Sequence, residues 1–131
     1  MEILTSSPED RDRLRVSLQE GLVVVALCAA WCNTCTEFRR GLESLPAQRA
    51  ALVWLDVEDD ADLCGDIEVE SFPTLVAFRG EAVLHYGVTV PSAPVTARLM
   101  QELAERQTGV ARVPDAMHAL RRALLREGGV A

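Results

Sequence analysis

The chain has 131 residues, a formal charge of −7, and apolar side chains at 49% of its positions. At roughly 100–200 residues per domain, this length fits one globular domain that can bury about two-thirds of its unfolded surface without disulfide staples. The negative charge repels a phosphate backbone and argues against nucleic acid as a partner. No apolar run reaches the roughly 20 residues of a membrane span, so no membrane partner is expected. The first ten residues, Met1 to Asp10, carry neither the basic nor the apolar region of a secretory signal, and the expected location is cytoplasmic. All 13 cationic side chains are arginines, a bias given no functional weight.

Ser7-Pro8-Glu9-Asp10 reads as an N-cap, a proline at the first helical position, and a carboxylate able to reach back to the cap. The helix it opens should run to about Gln19, ahead of Gly21. Leu22 to Leu27 is apolar without alternation, as in a strand covered on both faces. After Trp31-Cys32 the spacing turns helical, with Phe38, Leu42 and Leu45 apolar until Pro46. Ala51 to Leu55 is a second strand, and Ala61 to Asp66 a short helix. Pro73 to Phe78, the turn Arg79-Gly80-Glu81, and Ala82 to Tyr86 form a hairpin. Ser92-Ala93-Pro94 opens a helix with Val95, Leu99, Met100, Leu103 and Ala104 apolar. Pro114 to Glu127 is a further helix with Met117, Leu120 and Leu124 in one stripe, which needs cover and should pack on the domain. Parallel strands joined by helices, then a hairpin, make an α/β fold: a mixed sheet of four to five strands with helices on both faces and an extra C-terminal helix.

The strongest chemical signal is Trp31-Cys32-Asn33-Thr34-Cys35, a C-x-x-C between a buried strand and an amphipathic helix. Cysteines three apart at a helix start bring their sulfurs together, so that one can attack a disulfide and the other resolve it. A thiolate at Cys32 would face unpaired backbone N–H groups, where the helix dipole favours negative charge. Helix-end electrostatics give about 0.3–1 kcal/mol and at best about 2, so hydrogen bonds from Cys35 S–H or the Thr34 hydroxyl should contribute.

In this context the chain resembles the thioredoxin family over about residues 1–108. The resemblance rests on the Val-rich strand before Ala29-Ala30-Trp31-Cys32, the strand Leu52 to Val57, the segment Phe72-Pro73-Thr74-Leu75, and Gly87 after the last strand. It implies a thioredoxin-like domain over 1–108 with a helical extension over 109–131. It also implies dithiol–disulfide exchange with protein clients, in which Cys32 attacks, Cys35 resolves, and the two form the redox-active disulfide. Trp31, Asn33, Thr34, Phe72, Pro73, Thr74 and Gly87 are the implied substrate-binding residues. Pro73 is the candidate for the family's cis-proline, with the Phe72 backbone offered to an extended substrate strand. No bound cofactor or metal is required, and a dithiol donor such as a thioredoxin reductase would re-reduce the pair. In a reducing compartment the exchange should run toward client reduction.

The chain departs from the family's pattern at several positions. Ala26 stands where thioredoxins commonly bury an acid, Cys28 where a tryptophan is usual, Asn33-Thr34 in place of Gly-Pro, and Arg40 in place of a helix-kinking proline, beside Gly41. Cys28 and Cys64 read as small buried hydrophobes; the alternative is a second redox function, with Cys28 four residues before Cys32 and a regulatory disulfide or glutathionylation at Cys64. His85 and His118 read as structural or solvent-facing, and Trp54 as sheet cover. Eight carboxylates and no arginine lie between Ala50 and Phe78, a solvated acidic edge. Two rival functions stand beside the reductase: a redox-sensing adaptor using the same surface and the C-terminal extension, and metal delivery through a four-cysteine site.

Overall fold

The computed structural model describes residues 1–110 and 112–126. A two-residue strand, β1 (Ile3–Leu4), is followed by helix α1 (Pro8–Glu20) and strand β2 (Leu22–Cys28). Helix α2 (Asn33–Glu43) leads to β3 (Ala51–Asp56) and the single-turn helix α3 (Ala61–Cys64). Strands β4 (Thr74–Arg79) and β5 (Ala82–Val88) precede helices α4 (Ala93–Ala104) and α5 (Asp115–Leu125). The strands form one sheet in the order β1-β3-β2-β4-β5, parallel from β1 to β2 and antiparallel from β2 to β5. This is the thioredoxin-like architecture that the motifs implied.

The unbroken apolar run of β2 has its reason in the topology: the strand is central, and all seven residues are buried. Its side chains alternate between two cores. Val23, Val25 and Leu27 join Leu14 and Leu18 of α1 and Met117, Leu120 and Leu124 of α5. Val24 and Ala26 join Phe38 and Leu42 of α2 and Met100 and Leu103 of α4. Each fully buried leucine contributes about 1.5–3 kcal/mol. Helix α5 thus packs on the domain against α1. Arg11 ties the two together, its guanidinium donating to Ala123 O at 3.2 Å and Arg126 O at 2.9 Å. On the opposite face α2 closes on α4 at Gly41, where a Cβ would lie 3.1 Å from that of Ala93.

The differences from expectation fall at element ends. Strand β1 was not foreseen, because two residues carry no period. Ser7 caps α1 through its backbone alone; Asp10 instead accepts from the Thr5 N–H at 2.9 Å and hydroxyl at 3.0 Å. The last apolar residue of the α2 pattern, Leu45, lies beyond the helix, which closes with Ser44 N–H donating to Arg40 O at 3.3 Å. Helix α3 stops at Cys64, short of Asp66. Strand β4 starts after Pro73, which lacks the N–H that a ladder needs. Strand β5 runs on to Val88, so Gly87 lies within it and not after it. Helix α5 begins at Asp115, and Glu127 lies outside the described residues.

Candidate functional site

The end of β2 and the start of α2 are locked by backbone bonds. Cys32 N–H donates to Ala29 O at 3.0 Å, and Val57 N–H to Cys28 O at 2.8 Å. The Asp56 carboxylate accepts from the N–H groups of Ala30 at 2.5 Å, Glu58 at 2.8 Å and Asp59 at 2.9 Å. Burial pushes this carboxyl up, but the three N–H donors outweigh it and hold its pKa below the ordinary value. The turn places Cys32 at the N-cap of α2 in extended conformation (φ −87°, ψ 111°). Trp31, Asn33 and Thr34 are exposed, Cys32 is half-buried, and Cys35, one turn on, is 1% exposed. One sulfur of the pair is therefore reachable and the other sheltered.

All four cysteines are free thiols. Burial pushes the Cys35 thiol up; hydrogen bonds from the Cys28 S–H and the Ala29 N–H oppose this, while a hydrogen bond to Cys32 and the charge of Cys32 add to it. Burial likewise raises Cys28, with its bond to Cys35 next in size. Sequence reasoning missed this third sulfur as a partner, treating it as a small hydrophobe. The alternation of Val24, Ala26 and Cys28 sends all three toward α2 without naming what Cys28 meets there.

Beside the end of β2 that leads to the pair lies the Phe72-Pro73-Thr74 segment. The Phe72–Pro73 peptide bond is cis. Register pairs Leu27 with Thr74, which sets Pro73 level with Cys28 at the mouth of the motif. The Trp31 and Phe72 rings meet edge to face, 5.5 Å between centroids at 77°. The Thr74 hydroxyl donates to Ser71 O at 2.8 Å, and Thr89 N–H to Pro73 O at 3.0 Å. Flanking Thr89, Val88 and Val90 are 57% and 60% exposed. Gly87, paired with Leu75, has φ +147°, which a side chain would strain. Trp31 Nε1 donates to Glu58 Oε1 at 2.5 Å, a partner the sequence did not single out.

The structure thus brings Trp31 against Phe72 and sets Pro73 level with Cys28, at the strand end that leads to Cys32 and Cys35. Other singled-out residues lie elsewhere. Cys64 is buried in the core on the α1 side, and burial raises its thiol to about 11. His85 is lowered by burial and by Arg106, and His118 lies on α5. Trp54 covers the sheet beside Phe38, with the Arg39 guanidinium 5.4 Å from its ring centroid. Among the described residues no group of three or more His, Cys, Asp or Glu side chains is arranged to hold a metal ion. Among the described residues, no helix is long and apolar enough to cross a membrane.

Comparison with known proteins fits this geometry. A protein disulfide-isomerase of Arthroderma benhamiae is 33% identical over 66 residues, 47% of this chain but 13% of that protein. The chain likewise spans 15% of the protein disulfide-isomerase of Aspergillus niger. Thioredoxin-T of Drosophila melanogaster is 28% identical over 113 residues, 84% of this chain and 71% of its own length. A mutant thioredoxin from Halobacterium salinarum shares the fold, with a TM-score of 0.63 at 24% identity, covering 81% of this chain and 94% of that one. The thioredoxin family pattern itself matches residues 9–105, more than half of the chain, and the protein therefore belongs to the thioredoxin family.

Proposed function

We propose that the chain is a protein-disulfide reductase that works through Cys32 and Cys35. The thiolate of Cys32 attacks a client disulfide; one client sulfur leaves as a thiolate, and the other remains bound to Cys32. Cys35 then attacks Cys32, releasing the second client thiol and leaving a Cys32–Cys35 disulfide. Two electrons pass from the dithiol to the client. An external dithiol donor of the thioredoxin reductase kind restores the pair, in a reducing compartment such as the cytoplasm. The observation that carries this reading is the unequal exposure of the two sulfurs, half-buried Cys32 at the helix N-cap above a Cys35 that is 1% exposed.

Client binding is assigned to Trp31, Asn33, Thr34, Phe72, Pro73, Thr74 and Gly87. The exposed Trp31, Val88 and Val90 support it, since an unfolded client offers apolar side chains. An extended client segment would lie along the Phe72 backbone as an added strand. The chemistry belongs to a thioredoxin-like domain over 1–108, with 109–131 as its extension.

The test is reduction of insulin disulfides with dithiothreitol as donor. Cys32→Ser should leave only the uncatalysed rate, and Cys35→Ser should accumulate clients as mixed disulfides on Cys32. Undiminished turnover in Cys32→Ser, or alkylation of Cys32 no faster than a peptide thiol, would overturn the assignment. A partner held by Cys32→Ser, with no turnover by the unaltered protein, would favour the redox-sensing adaptor.

A further inference from the structure

Three of the carboxylates that follow Ala50, those of Asp66, Glu68 and Glu70, lie on the stretch before Phe72. Ile67 and Val69 alternate with them and pack against the core on the α1 side, which leaves the three acids exposed. They rim a groove of about 360 Å³ between this stretch, the end of β5 and the start of α5. Ile67, Tyr86, Val88 and Met117 give it apolar walls, with Tyr86 and Val88 38% and 57% exposed. Thr74 and Gly87, both assigned to client binding, line it as well. Helix α5 lies outside the segment that matches the family pattern, so this wall comes from the chain's own extension. We propose that the groove docks a client segment carrying an apolar side chain beside arginine or lysine, and so selects cationic protein disulfides. This rests on the reductase reading and names its substrate class.

Charge decides the occupant. Among the described residues no cationic side chain lines the groove, and none of the three acids is in an ion pair. A guanidinium or ammonium held there would complement their charge, and its aliphatic stem would cover the apolar wall. A second copy of this chain would bring another net charge of −7 and be repelled. The register sets the reach. Leu27 pairs with Thr74 and Thr74 with Val88, so the groove opens two strand spacings, about 10 Å, from the end of β2 that leads to Cys32. An extended client covers that distance in about three residues. The docked residues thus stand clear of the sulfur exchange, and they act on encounter and not on the chemistry.

The experiment follows single-turnover reduction of disulfide peptides by the reduced protein, quenched in acid and separated by chromatography. Two peptides share a disulfide and a leucine and differ in carrying two arginines or two glutamates about four to six residues beyond the disulfide. Bis(2-hydroxyethyl) disulfide is the small neutral control. At about 0.01 M salt the arginine peptide should react about tenfold faster, and the gap should close at about 1 M, where the screening length is about 3 Å. Glu68→Gln with Glu70→Gln should remove most of the gap, whereas Glu9→Gln with Glu20→Gln on α1, an equal change in net charge, should leave it. Tyr86→Ser should slow the arginine peptide and leave the small disulfide unchanged. Equal rates for the two peptides, or a gap that both double variants alter alike, would overturn the proposal. So would a dimer in sedimentation that Tyr86→Ser dissolves, which would give the groove to a second copy. Failure to reduce even the small disulfide would instead refute the reductase reading.

Discussion

Trp31 is 66% exposed and is held by one edge-on ring contact to Phe72 and one bond to Glu58. Such a ring pair is worth about 0.5–1.5 kcal/mol. Trp31→Ala should therefore cost the fold on the order of 1 kcal/mol in urea denaturation. If the ring faces the client, kcat/KM for a protein disulfide should fall about tenfold, equivalent to 1.36 kcal/mol, with little change for a small disulfide such as oxidised glutathione. The reactive pair was legible because C-x-x-C is local and its geometry is set by one helical turn. Glu58 and Cys28 were not legible as partners. Each is separated from its partner by a loop or strand exit, and alternation fixes the face of a side chain without naming what lies across from it.

Helix α5 shows how far periodicity carries. Its stripe of Met117, Leu120 and Leu124 marked the face to be covered, and that face is buried against α1. Leu120 is 0% exposed, and Leu120→Ala should cost about 2–5 kcal/mol through lost contact and an unfilled cavity. A drop in the urea midpoint with an unchanged slope would show it. The same reading could not place the two-residue β1, whose identity comes from its parallel pairing with Leu52 and Val53. Nor could it end α2 before Leu45, since an apolar residue just past a helix still reaches the same core.

Taken together, the buried thiols set an alkaline limit on the fold. Burial raises Cys28, Cys35 and Cys64 above their ordinary values. A raised pKa favours the protonated form in the folded state, so the stabilisation is complete below the unfolded thiol value of about 8.5. It is lost as pH climbs through the folded value. The melting temperature should hold through neutrality and fall above about pH 8.5. Cys64→Ala should flatten the decline up to about pH 11, where the folded Cys64 itself titrates. A pH profile in which the variant parallels the unaltered protein would contradict this.

The sulfurs also lie at graded depths, from the half-buried Cys32 at a helix cap, through Cys64 in a single turn, to Cys28 in the middle strand of the sheet. A slow thiol-reactive label added to the reduced protein under native conditions would therefore act as a stopwatch for opening. Modification of Cys64 would time the fraying of α3, whereas modification of Cys28 would wait until β2 is stripped of its neighbours.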